Sequence, residues 1–239
     1  MSDYIIDGDD RIYNIWQADH SKRLYRNELL RHHHLQRLLL KSGDFHSLLD
    51  IGCGTGYFDY LLAQNGKKIK AVDLSAKRLS LFADIARKFN IQQLNADLFK
   101  LEESGFDALI SQEVLEHLQD YEAALSKMKS FLKPDGIALF CVPYNENLNA
   151  KTVIDPQTQK KHHTSGHLHS FTKEKLSGSA AKIGFEVLGV HLIVNKRSVK
   201  HFTRLRLPIN SVTSFFDRLM NQLFPHKAAY LAVLCRNKA

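Results

Sequence analysis

Between Ser47 and Tyr144 the chain alternates short apolar runs with segments of helical period. Ser47-Leu-Leu-Asp-Ile51 predicts a buried strand, Tyr57–Asn65 a helix stopped at Gly66, and Ile69–Asp73 a second strand. Ala76–Phe89 carries Leu79, Phe82, Ala83 and Ala86 on one face and predicts a single helix. Ile91–Asn95 and Phe106–Ser111 predict further strands. Asp120–Leu132, with Tyr121, Ala124, Leu125, Met128 and Leu132 in one stripe, predicts a helix. Pro134-Asp-Gly136 reads as a turn into a strand at Ile137–Pro143. Strands alternating with helices imply a parallel sheet covered on both faces.

The flanks follow another pattern. Ala18–Lys41 predicts one or two helices, Asn145–Gly166 a polar loop, Thr172–Ile183 a helix capped by Thr172, and Phe185–Val194 a strand. In Asn210–Phe224, Val212, Phe215, Phe216, Leu219 and Leu223 recur at helical spacing, and Pro225 ends the helix. That stripe fits either a helix closing the sheet or an amphipathic cover. Ala229–Cys235 predicts the last strand. The expected organisation is one domain: a helical cap (1–46), a core (47–194), a basic helical insertion (195–227) and a last strand with its tail (228–239).

At 44% apolar and 24% charged residues the chain can bury a large core, which excludes a disordered or fibrous protein. The apolar runs fall well short of the roughly 18–20 residues that cross a bilayer, and the acidic first ten residues do not resemble a signal peptide. Three widely spaced cysteines (Cys53, Cys141, Cys235) fit neither a disulfide framework nor a zinc site. A cytoplasmic location is expected. The net charge of +8 lies in residues 195–239, where nine Lys and Arg face one acid, Asp217. Such a segment suits an acidic substrate, membrane headgroups or nucleic acid.

The chemistry concentrates in Leu48-Leu-Asp-Ile-Gly-Cys-Gly-Thr-Gly-Tyr57, between a strand and a helix. Gly52, Gly54 and Gly56 allow a tight turn and close approach to a ligand. The spacing is G-x-G-x-G, with Tyr57 where the dinucleotide fingerprint has glycine, which argues against a pyrophosphate. Asp73, ending the second strand, is placed to accept hydrogen bonds from ribose hydroxyls. With these features the chain resembles the class I S-adenosylmethionine-dependent methyltransferases. Leu48–Tyr57 is similar to their first motif, Ala71–Ser75 to the second, Asn95–Leu98 to the adenine segment, Phe106–Leu118 to the fourth-strand motif and Phe131–Gly136 to the turn before strand five. The resemblance implies an α/β, Rossmann-like seven-stranded sheet, mostly parallel with an antiparallel last strand, and S-adenosyl-L-methionine as cofactor. It assigns Asp50, Gly52, Gly54, Gly56 and Gln112 to the methionine part, Asp73 to the ribose, Leu74 to the adenine face, and Asp97 with Leu98 to the adenine edge.

After the fourth strand comes Glu113-Val-Leu-Glu-His117. In a helical turn residues i, i+3 and i+4 share a face, so Glu113, Glu116 and His117 can serve general-base chemistry or hold a divalent cation. The pattern is similar to the ubiquinone-pathway O-methyltransferases, and to small-RNA 3′-terminal 2′-O-methyltransferases in which a later histidine completes a metal site. His169 is the candidate for that later histidine, and His167 is an equally reachable alternative. Proton acceptance by His117 is expected rather than a bound metal. His162 and His163 read as a solvated loop, His32-His-His34 cannot converge on one helical face, and Cys53 reads as a packing residue. The expectation is O-methylation of a small-molecule phenolic, lipid-like or sugar-linked hydroxyl, with an anionic acceptor and peripheral membrane contact both compatible with the basic insertion. An RNA 2′-O-methyltransferase using a metal and a non-catalytic cofactor-binding protein are the alternatives. The chain shows no aromatic–basic interleaving that would make a nucleic-acid stacking platform.

Overall fold

Successive side chains of a strand point to opposite faces of its sheet, and here both faces are buried. In the computed structural model, which describes residues 26–154, 157 and 161–238, Leu48, Ile110, Leu139 and Cys141 enter one hydrophobic cluster while Leu49, Leu109, Phe140 and Val142 enter the other. A sheet with no wet face accounts for strands that read as near-continuous apolar runs. Its strands are β1 (Ser47–Ile51), β2 (Lys68–Asp73), β3 (Gln92–Asn95), β4 (Phe106–Gln112), β5 (Leu132–Pro143), β8 (Phe185–Asn195) and β9 (Ala228–Asn237). They lie in the order β3-β2-β1-β4-β5-β9-β8. β1 to β5 pair in parallel, and β9 runs antiparallel to both its neighbours. The expected mostly parallel seven-stranded sheet with an antiparallel last strand is therefore observed.

Helices α5 (Tyr121–Ser130) and α6 (Lys173–Lys182) cover one face. The other is covered by α1 (Arg26–Lys41), α2 (Tyr57–Ala63), α3 (Ala76–Leu81), α4 (Ala83–Phe89) and α7 (Lys196–Arg204). The part of the expected Ala18–Lys41 helix before Arg26 lies outside the described residues. Thr172 caps α6 as expected, its hydroxyl accepting from the Lys175 amide.

Four local expectations are corrected. The single helix over Ala76–Phe89 is broken at Phe82, which turns inward and is buried. The turn at Pro134–Gly136 lies within β5, as an irregularity with Asp135 at φ 60°. The Asn145–Gly166 loop contains a hairpin, β6 (Thr152–Ile154) with β7 (Lys161–His163).

The fourth correction concerns α8 (Ser211–Leu223), started by an Asn210–Thr213 capping box. The reading that its apolar stripe closes the sheet is reversed. Its buried residues are Thr213, Ser214, Asp217 and Asn221, whereas Val212, Phe215, Phe216, Leu219 and Leu223 are exposed. The polar row is held inward by hydrogen bonds. Asp217 accepts from the backbone amides of Val194 (3.0 Å) and Asn195 (2.8 Å), from Asn221 (3.0 Å) and from His34 of α1 (2.8 Å). Val194, a β-branched residue at φ 61°, is kept in this strained conformation by that bond.

Candidate active site

The strand order reverses between β1 and β4, and in such sheets the crevice beyond the strand ends there receives ligands. The glycine-rich turn leaves β1 at that point. Gly52 and Cys53 donate to the Val72 carbonyl at 2.8 and 3.1 Å, which ties the turn to β2. The glycines divide the work. A Cβ on Gly52 would lie 2.3 Å from Val114, and one on Gly56 2.3 Å from the Phe82 ring, so these two make room for the protein's own packing. Gly54, at φ +60°, would meet nothing within 4 Å, so its backbone faces open space suited to a ligand.

Asp73 is buried at the end of β2, one oxygen accepting from the Gly54 amide (2.9 Å) and the other from Ser75 (2.8 Å). Burial pushes its carboxyl above the ordinary aspartate range, while those two amides and Arg78 oppose the shift. A carboxylate offers about four acceptor positions, so capacity remains for hydroxyls. Leu74 beside it is 42% exposed, an apolar platform next to the crevice. Asp97 caps the short turn Leu98–Lys100 by accepting from the Phe99 amide (2.9 Å), and Leu98 is buried. At the end of β4, Gln112 has a buried side-chain oxygen with no hydrogen-bond partner among the described residues. An open glycine, an acid at a strand end, an exposed leucine and an orphaned amide oxygen fit a nucleoside-bearing cofactor.

Behind the turn lies a pair only half anticipated. Asp50 of β1 and Asp59 of α2 are both fully buried, and burial together with their mutual repulsion raises the Asp50 carboxyl far above its usual value. Asp59 is also raised, by burial. Cys53 is pushed up by burial and by the same acids, which leaves it a protonated thiol in keeping with a packing role.

On the acceptor side, Glu113 adopts φ 56° and pairs with Arg31 of α1 at 3.2 Å. Arg31 also lies over the Tyr230 ring, 4.8 Å from its centroid. Glu116 and His117 fall on a 3-10 turn, not an α-helical one. Glu116 is fully buried with both carboxylate oxygens unpartnered among the described residues, and burial beside Glu113 raises its carboxyl strongly. Leu168 and His169 donate backbone amides to the Glu116 carbonyl at 2.7 and 3.3 Å, which lays the 163–169 segment over this turn. His117 Nδ1 lies 3.3 Å from the Gly166 carbonyl; as that oxygen only accepts, Nδ1 carries the proton and Nε2 is the basic nitrogen. Burial and the neighbouring His167 lower the His117 imidazole to about 4.

The candidate His169 for the later histidine is corrected. His169 Nε2 donates to the carbonyls of Leu118 (2.8 Å) and Gln119 (3.1 Å), and its ring packs on Tyr121 and Phe171. It is His167 that groups with Glu116 and His117, their ligand atoms lying within 4.8 Å of one another. Glu113 lies outside this group and pairs with Arg31 instead. His163, expected in a solvated loop, is buried and stacked on His167, and Glu146 bonds His167 Nδ1. His32 of the unassigned triplet packs against Tyr57 and Phe58. Arg31, Asp59, Glu146 and His163 were missed: Arg31 and Glu146 reach the site from elements distant in sequence, while Asp59 lies just past the glycine-rich turn and His163 in the same segment as His167, outside the motif positions themselves.

Fold and crevice together define a class I methyltransferase architecture. The family described as Methyltransferase domain matches residues 22–190, and the chain belongs to it, among the class I S-adenosylmethionine-dependent methyltransferases. An uncharacterized methyltransferase of Mycobacterium bovis is 32% identical over 105 residues, 42% of this chain and 53% of that protein. A ubiquinone biosynthesis O-methyltransferase of Haemophilus ducreyi is 28% identical over 116 residues, 45% of this chain and 49% of that one. The chain thus spans about half the length of the curated relatives it matches. Among solved structures, the N-methyltransferase NodS of Bradyrhizobium japonicum with S-adenosyl-L-homocysteine superposes with a TM-score of 0.60 at 20% identity, covering 90% of this chain and 89% of that one. No helix among the described residues is long and apolar enough to cross a membrane.

Proposed function

We propose that this protein transfers the methyl group of S-adenosyl-L-methionine to a hydroxyl of a small molecule, phenolic, sugar-linked or lipid-like in character. When bound, the sulfonium supplies an activated methyl group, so the protein's task is alignment, exclusion of water and removal of a proton. Gly54 leaves space at the turn, Asp73 receives the ribose, Leu74 packs on the adenine face with Asp97 and Leu98 at its edge, and Asp50 and Gln112 border the methionine end. His117 takes the hydroxyl proton on Nε2.

The observation that supports an oxygen nucleophile is the His117–Gly166 hydrogen bond, which fixes the tautomer so that Nε2 is the basic nitrogen, on a ring that burial and His167 keep neutral. An amine acceptor would have less need of such a base. The test is transfer of a labelled methyl group to a panel of phenols and of matching amines. His117→Gln is expected to slow transfer to phenols by about 10²–10⁴-fold. Transfer confined to amines, or unaffected by the substitution, would overturn this reading.

A second reading has its own observation. Glu116, His117 and His167 fit a divalent cation, with Gly166 and Glu146 behind the two histidines as outer partners. A cation there would assist ionisation of the hydroxyl. Metal analysis of the purified protein, and methyl transfer after exhaustive chelation, separate the two readings.

A further inference from the structure

The outward face of α8 is apolar while its inward face is polar, the reverse of a helix that packs on a sheet through its hydrophobic stripe. Five large apolar side chains, Val212 (61% exposed), Phe215 (50%), Phe216 (53%), Leu219 (38%) and Leu223 (68%), stand in water. Leu205 and Leu207, between α7 and α8, are likewise 63% and 36% exposed. A monomeric soluble surface rarely carries a contiguous patch of this kind without a partner. The inversion is not loose packing, because Asp217 accepts four hydrogen bonds and His34, Thr213, Ser214 and Asn221 complete the buried polar row.

The rim identifies the partner. Lys196, Arg197, Lys200, Arg204 and Arg206 are exposed on α7 and the connection after it, and Arg218 lies against Phe215 with its guanidinium 5.5 Å from the ring centroid. The one acid of residues 195–239 is Asp217, and it is fully buried. Among the described residues, the exposed side chains of this segment therefore offer cations and hydrocarbon with no carboxylate. A second copy of the chain would bring like charges together, whereas the surface of an anionic bilayer supplies phosphates for the rim and acyl chains for the centre.

We propose that α7 and α8 form a docking surface for anionic membranes, with Phe215, Phe216, Leu219 and Leu223 entering the headgroup–acyl boundary and Lys200, Arg204 and Arg206 meeting lipid phosphates. The surface goes beyond the methyl-transfer reading and stands whichever acceptor is used.

The experiment is cosedimentation of the full chain with vesicles of phosphatidylcholine alone and with about one third phosphatidylglycerol. Binding to the anionic vesicles is expected, weakening as salt rises. Lys200→Glu with Arg204→Glu is expected to lower partitioning about tenfold or more, and Phe216→Ser with Leu219→Ser to lower it to a similar extent. All four positions are exposed or rim positions, so thermal unfolding of both variants should match the parent, which separates lost docking from lost folding. Failure to bind anionic vesicles would overturn the proposal. So would equal binding to neutral vesicles, self-association abolished by Phe216→Ser with Leu219→Ser, or a preference of this face for single-stranded RNA over vesicles.

Discussion

His34 and Asp217 stand 183 residues apart in sequence and meet through a 2.8 Å hydrogen bond, with no more than 2% of either side chain exposed. Because a carboxylate only accepts, His34 Nε2 is the donor, and Nδ1 receives the Ser214 hydroxyl at 3.3 Å. Three residues earlier on the same helix, Arg31 pairs with Glu113. Adjacent positions on one face of this helix thus hold both α8 and the acceptor side of the crevice.

Replacing Asp217 by Ala leaves four buried donors without their acceptor. The expected cost is about 3–5 kcal/mol, a fall in Tm of about 6–20 °C for a chain of this size, measured by thermal unfolding. Asp217→Asn keeps the shape but places an amide among donors, and is expected to fall between the parent and the alanine variant.

The glycines predict a split between stability and binding. Gly54→Ala meets no atom and carries only the left-handed backbone cost of about 1–2 kcal/mol, yet it intrudes on the space assigned to the cofactor. Calorimetric titration with S-adenosyl-L-homocysteine should show a larger loss for Gly54→Ala than its change in Tm implies. Gly52→Ala clashes with Val114 and should lose stability and binding together.

Asp73→Ala tests the ribose contact. Its affinity for S-adenosyl-L-homocysteine is expected to fall at least tenfold, about 1.4 kcal/mol, as for loss of a charge-assisted bond. Unchanged affinity in calorimetry would move the pocket elsewhere.

The pH dependence follows from His32, which burial lowers to about 3. The unfolded chain binds a proton at this residue below about pH 6.5 while the folded chain does not. Stability from this site is therefore complete above pH 6.5 and lost as pH falls toward 3. Tm measured from pH 7 down to 5 should decline, and His32→Phe should flatten the slope.

Asp59 acts with the opposite sign. Its folded carboxyl is raised by burial, so its contribution is best below the ordinary aspartate value and is lost as pH rises. Asp59→Asn should raise Tm at pH 8 by about 2–4 °C, the shift expected for about 1 kcal/mol in a chain of this size, and have little effect near pH 4.

The sheet and the glycine-rich turn were legible because their signals are local. A strand, three glycines and an acid ending the next strand lie within 27 residues, from Ser47 to Asp73. Glu116 and His117 were legible for the same reason. The choice between His167 and His169 was not, since a single loop residue, Leu168, separates them and the backbone contacts to the Glu116 carbonyl decide which turns inward. The orientation of α8 was illegible for a different reason. A stripe at helical spacing shows that a helix has two faces, and only the distant His34 shows which of them is buried. A trace was present in Thr213, Asp217 and Asn221, polar residues at i, i+4 and i+8 around the lone acid of a cationic segment. The helix break at Phe82 depends likewise on Gly56, 26 residues earlier, whose missing Cβ leaves room for the ring.

β9 lies between β5 and β8 although it follows both in the chain. Until residues 228–237 arrive, two long strands keep raw edges, each a template for pairing with another molecule. Any product cut before that strand would therefore be sticky toward its own kind rather than merely shorter.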